Sequence, residues 1–319
     1  MVKNYNINFI NLSNKLFIKY LSFCRGNSIN KGYFYLGVTS FIFGSFEVAS
    51  KMVHGIEAIQ INFIRFFIGG IVMLPFALKE IKEKNTTFDF KDILYFFALG
   101  TLLVPLANTF NQISVEYNSA SFVAFVFSSN PFFIAILSYI ILKEKINIHL
   151  VIAVVLGISG LTFIFNPFNF HYNKYSFYAL IAAILFSFYV ILMQKVNKKY
   201  GNLTTTALTI IFGTIVFYIF LLFKGIRIFD GINSGNILLL LYIGIFCSGI
   251  TYLSYFKGML LTSVNTGSMV FFLKPIISTA LAMIILNEKV SSTFLVGASI
   301  IVVSSILLIY SRKKLPKNN

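Results

Sequence analysis

SASFVAFVFSSNPFFIAILSYIILKEK, residues 119–145, recurs 144 positions later as SVNTGSMVFFLKPIISTALAMIILNEK, residues 263–289. This register pairs Ser119 with Ser263, Phe127 with Phe271, Pro131 with Pro275, Glu144 with Glu288 and Lys145 with Lys289. Outward from that block, the same offset pairs Lys51 with Lys195, Gly69 with Gly213 and Gly100 with Gly244. One register spans both halves without a gap, so the chain is read as a tandem duplication.

The medium each half folds in follows from composition. Of 319 residues, 57% are hydrophobic and 11% are charged. A soluble domain carries about 25% charged residues, so these charges are too few to cover a water-facing surface. The net charge of +16 raises nucleic acid as a partner, but the basic residues fall between apolar runs, which argues against it. Cys24 and Cys247 have neither metal spacing nor a disulfide framework. No metal or cofactor is expected, and the partners are the lipid bilayer and a small-molecule substrate.

A membrane span needs about 20 mostly apolar residues. Windows of that kind fall at 33–53, 58–78, 92–113, 119–142 and 147–165, then at 176–195, 204–223, 236–256, 266–287 and 292–311. The expected fold is all-α integral membrane, with ten transmembrane helices. Residues 1–32 read as a cytoplasmic tail, 33–165 as the first five-helix repeat, 176–311 as the second and 312–319 as a basic tail. The tail at 1–32 holds no signal-peptide pattern; it is read either as disordered or as an interfacial helix.

Basic residues gather on the cytoplasmic side of membrane proteins. With both termini inside, 18 Lys and Arg fall there against five outside, namely Lys51, Lys174, Lys224, Arg227 and Lys289. Five spans per repeat is odd, so the second copy enters the membrane upside down. Inverted repeats recur in secondary transporters, where two related halves exchange conformations.

The proline followed by glutamate in each repeat (Pro131 to Glu144, Pro275 to Glu288) resembles the drug/metabolite transporter superfamily, EamA type. So do Phe43-Gly44-Ser45 with Lys51, and Asn62-Phe63-Ile64-Arg65-Phe66. The resemblance covers about 33–311. It implies a ten-helix carrier with a cavity between the repeats, often an exporter of amino acids or other metabolites. Where Phe43 stands that family usually has Trp, which this chain lacks.

Ionisable groups inside spans are functional candidates. At about 1.5 Å per residue, Glu47 lies about 21 Å from the inner face and Arg65 about 10 Å from the outer. In a core about 30 Å thick these are one level, so the two are expected to pair, as a structural ion pair or a proton-sensitive gate. Lys274, about 12 Å from the inner face, precedes Pro275 as its mate Asn130 precedes Pro131. Proline frees a carbonyl one turn earlier, and broken backbone is tolerated where it lines a cavity. Lys274 is expected either to grip a substrate anion opposite Asn130 or to pair with Glu47 or a carbonyl. Asn108, Asn111 and Gln112, with Tyr189, Gln194, Tyr252, Ser254 and Tyr255, suggest a wet interior or bonds between helices.

The 38 Phe read mainly as lipid-facing or core residues, with stacking on an aromatic ligand as the alternative for a few. Ala153, Gly157, Gly160, Gly297 and Ser304 form small faces that suit close helix packing, within the chain or between two copies as a homodimer. Glu144 and Glu288 read as helix caps or loop partners. His54, His149 and His171 lie far apart, and no HExxH, GxSxG or Walker A pattern occurs. A membrane enzyme is therefore the weaker reading. A lipid-linked substrate flippase or multidrug exporter of the same fold is the alternative. A bacterial inner membrane is the expected location.

Overall fold

A computed structural model describes residues 28–144, 147–165, 174–262, 264–267 and 269–313. Most of the segments read as cytoplasmic tails, 1–27 and 314–319, lie outside the described residues. Among those described there are helices and no strand. We number the main rods α1 Ser28–Lys51, α2 Ala58–Glu83, α3 Phe90–Tyr117, α4 Ala120–Leu142 and α5 Ile148–Ile164. The second half supplies α6 Ser176–Tyr200, α7 Asn202–Phe223, α8 Ile237–Leu261, α9 Val270–Ile285 and α10 Ser292–Lys313. A short turn of helix, Val264–Gly267, precedes α9.

Seven rods, α2, α3, α4, α6, α7, α8 and α10, are long and apolar enough to cross a membrane by length and composition. The others depart from the expected ten for separate reasons. Helices α5 and α9 are apolar but have only 17 and 16 residues. Helix α1 has 24 residues but buries Thr39, Ser40, Ser45, Glu47 and Ser50, which lower its hydropathy. It also begins at Ser28, inside the stretch read as tail.

Polarity is arranged inside out. Phe223, Leu260, Ile284 and Phe90 are among the most exposed side chains, while Glu47, Asn62, Asn111, Gln112 and Ser187 are buried. Such an apolar exterior suits lipid; the buried amides and hydroxyls need partners in their neighbours.

The duplication is visible in the contacts. Gly160 of α5 lies so close to α10 that an added Cβ would stand 3.0 Å from the Gly297 carbonyl. At the mates of these residues, Ser304 of α10 donates to the Ala153 carbonyl of α5 at 2.6 Å. Gly100 of α3 abuts Gly213 of α7, and the mates Gly244 and Gly69 abut α2 and α8, at Ile68 and Ser248. These two contacts between repeats recur with the partners exchanged, as a two-fold relation predicts. Gly160, Gly297, Ala153 and Ser304 thus pack α5 on α10 within one chain, while Gly157 packs on Phe132 of α4.

Proline and hydroxyls break the mated rods differently. Helix α4 is interrupted at Ser128–Ser129, and Pro131 opens its second half, Asn130–Leu142. Pro275, expected as a matching break, instead lies inside α9, which continues through it. Helices α3 and α8 each contain a wider π-helical turn, Leu102–Asn108 and Tyr242–Ile250, at overlapping mate positions.

Candidate substrate cavity

The wide turn in α3 builds one wall. Its carbonyls are released from regular helical bonding, and side chains take them up. Asn108 Nδ2 donates to the Leu103 carbonyl at 2.9 Å, and Asn62 Nδ2 to that of Val104 at 2.9 Å. The amide oxygens so oriented hold Arg65: its Nε donates to Asn62 Oδ1 at 3.2 Å and its Nη2 to Asn108 Oδ1 at 2.5 Å. The guanidinium also lies 4.2 and 4.4 Å from the ring centres of Phe46 and Phe66. Arginine suits this position because its planar fork both donates in a fixed geometry and stacks on rings.

Arg65 does not pair with Glu47, contrary to the expected partnership. Lys274 Nζ approaches Glu47 Oε1 at 2.6 Å, with Glu47 wholly buried. The contact is an ion pair outside the alignment of a good hydrogen bond, and neither carboxylate oxygen has an aligned donor among the described residues. Depth along each helix axis had favoured Arg65, but it omitted side-chain reach and helix rotation. The long lysine side chain reaches Glu47, and Arg65 turns to the amides of α2 and α3. The alternative pairing of Lys274 is therefore the one formed. Its ammonium also lies 4.9 Å from the Phe127 ring centre.

A cavity with about 710 Å³ of empty space, mouth included, opens among these groups. Lys274, Asn130, Asn108, Asn111, Tyr252, Tyr255 and Arg65 all line it, from α2, α3, α4, α8 and α9. Tyr189 stands apart from it. With Pro131, Gln194, Asn197 and Met259 it lines a vestibule of about 1440 Å³ that shares Asn130, Phe186, Tyr252, Tyr255 and Phe271 with the cavity. Pro275 lines neither. Asn130 is tied to the helix break, its Nδ2 donating to the Phe127 carbonyl at 2.9 Å.

Which of the 38 Phe wall the cavity was not legible in the sequence. Phe43, Phe46, Phe66, Phe127, Phe186 and Phe271 all face the cavity. Phe43 meets Tyr252 edge-on at 5.5 Å, and Phe271 meets Tyr255 at 5.8 Å. A partial signal existed: Phe127 and Phe271 are mates in the 144-residue register, beside the helix breaks. Ser128 Oγ and Asn111 Oδ1 are buried cavity atoms with no hydrogen-bond partner among the described residues. The cavity wall thus presents two cations, unspent polar atoms and ring faces, with the buried Glu47 carboxylate paired to one of the cations.

Residues 30–166 and 173–310 each match the EamA-like transporter family. The chain belongs to that family. An uncharacterized transporter of Clostridium kluyveri is 33% identical over 90% of this chain and 95% of its own length. An S-adenosylmethionine uptake transporter of Rickettsia prowazekii is 25% identical over 81% of this chain and 85% of its own. A solved crystal structure of 13% identity superposes with a TM-score of 0.63, covering 89% of this chain and 99% of that one. This EamA-like chain is accordingly a multi-pass membrane protein of a transporter family.

Proposed function

We propose that the chain carries small metabolites such as amino acids across a bacterial inner membrane by alternating access between its two repeats. All ten rods cross the bilayer, and both termini are cytoplasmic. The ion pair of Glu47 in α1 with Lys274 in α9, one residue from each repeat at the edge of an aromatic-walled cavity, carries this reading. A buried charge is expensive without an opposite charge. A zwitterion offers both charges in one molecule. Its carboxylate takes Lys274, and its ammonium takes Glu47 together with the unspent Asn111 and Ser128 oxygens. Exclusion of water strengthens each contact. Arg65 adds positive potential, and the ring faces hold the rest of the cargo.

Cargo replaces a bond that joins the repeats, so binding leaves them free to rearrange. Differential contact of this kind is what couples a ligand to a conformational change. Net export, the direction the resemblance implies, and uptake, the direction in the rickettsial name, use the same cavity. Gradients of the cargo and of any coupling ion select between them.

Counterflow in liposomes tests the proposal. Purified protein, preloaded with one unlabelled amino acid at a time, is expected to take up the matching labelled one saturably. Lys274→Met is expected to abolish the exchange while the protein still inserts. Lys274→Arg is expected to be poor, because a planar fork does not replace a compact ammonium. Normal exchange by Lys274→Met with an unchanged half-saturation would remove Lys274 from the site.

A further inference from the structure

The two ends of the bundle are closed to different degrees. At the end where α1 and α9 finish, the Glu288 carboxylate reaches across the repeats to the first turn of α4. Its Oε1 accepts from the Ala120 N–H at 2.6 Å; its Oε2 accepts from the Ser121 N–H at 3.2 Å and the Ser121 hydroxyl at 2.8 Å. Beside it Lys51, the last residue of α1, donates to the carbonyls of Val115 and Asn118 at the end of α3. Gln112 donates to Ser50 between those helices. A pit lined by Lys51, Gln112 and Glu288 lies outside this seam and shares no lining residue with the central cavity.

At the opposite end two of the mates, Glu144 and Lys195, make no matching bonds among the described residues. Glu144, mate of Glu288, is exposed, and its carboxylate has no hydrogen bond among the described residues. Lys195, mate of Lys51, is exposed, with its ammonium 5.8 Å from the Tyr95 ring centre. The vestibule that shares five residues with the cavity lies towards this end, reaching Asn197 and Asn202 where α6 meets α7. The opposite end has inter-repeat bonds of its own, Glu80 accepting from the Thr204 N–H at 2.9 Å and hydroxyl at 2.6 Å and Lys199 meeting Asp92 at 2.6 Å, but they lie on α2, α3, α6 and α7, and the vestibule stays open beside them.

We propose that Glu288 is a latch residue of the transport cycle. Its three bonds to Ala120 and Ser121 hold one end shut, and the cavity opens at that end when they break. This rests on the carrier reading above. The geometry favours a latch over a simple cap for two reasons. The acceptor comes from the other repeat, and Ser119 already caps this helix, its Oγ accepting from Phe122 N–H at 3.3 Å. Carboxylate bonds to backbone N–H groups at a helix start are strong enough to hold a state. Being at the partly exposed rim, they can exchange with water at modest cost.

Thiol labelling tests the latch without any cargo, so its result is independent of whether an amino acid is exchanged. Ser128→Cys places a reporter in the cavity of a chain lacking Cys24 and Cys247. An impermeant maleimide is offered to right-side-out and to inverted vesicles. With Glu288 intact, labelling is expected mainly through the end bearing Glu144. Glu288→Ala is expected to speed labelling through the other end by about tenfold or more, the scale for losing charged hydrogen bonds, and to slow it through the Glu144 end. Ser121→Ala, which removes one of the three bonds, should shift both rates the same way by less. Loosening or misfolding would raise both rates together. That outcome, or unchanged rates in both variants, would overturn the latch.

Discussion

Glu47 and Lys274 meet at 2.6 Å across the boundary between the two repeats. Among the described residues neither has a second ion-pair partner, and Arg65 is committed to Asn62 and Asn108. Removing one partner of a buried pair strands the other and costs about 3–5 kcal/mol. Glu47→Gln and Lys274→Met are each expected to lower the unfolding midpoint in detergent. The double variant should lose less than the two single losses combined; strict additivity would mean that the pair contributes nothing as a pair.

Arg65 offers a separate test. Arg65→Lys keeps the charge but cannot reach two amide oxygens in one plane or stack between Phe46 and Phe66. Hydrogen bonds to charged groups contribute about 1.5–3 kcal/mol, so transport efficiency should fall by about tenfold or more. Asn108→Ala should reproduce much of the loss, since Asn108 Oδ1 is the nearer acceptor. The ratio of maximal rate to half-saturation, measured by counterflow, reads both.

Close packing of α5 on α10 predicts a stability effect with little bearing on cargo. Gly160→Val puts a branched side chain where even Cβ would come within 2.8 Å of Ile301 and 3.0 Å of the Gly297 carbonyl. Overpacking of this kind costs about 1–3 kcal/mol. The thermal midpoint should drop while the half-saturation of the protein that remains folded is unchanged.

The proposed orientation rests on the basic residues, 18 assigned to one side against five to the other. Single cysteines at Lys174 and Lys198, in a chain lacking Cys24 and Cys247, are expected to label from outside intact cells at 174 only. Labelling at 198 and not at 174 would reverse the assignment of both termini to the cytoplasm.

Much of the site could be read from residue type alone. Asn108, Asn111, Asn130, Tyr252, Tyr255 and Lys274 stand out because amides, hydroxyls and charges are rare in apolar spans and expensive there. Phe46, Phe66 and Phe186 did not stand out, because a phenyl ring facing lipid and one facing a cavity look the same in a sequence. Pro275 misled for a related reason. Proline removes one helix hydrogen bond, but whether the helix then stops or bends depends on what packs around it.

Sequence by itself determined the apolar medium and the internal duplication, because composition and a 144-residue register are properties of the chain in order. Tertiary structure alone decided which charges meet. Position along a helix sets depth, but rotation about the axis is set by packing, and side-chain reach can bridge several ångströms. Hence Lys274 rather than Arg65 reaches Glu47. It also decided which of two mated glutamates reaches the other repeat. Glu144 and Glu288 close equivalent segments, IILKEK and IILNEK, and only the arrangement of the two repeats gives one of them a helix start to hold.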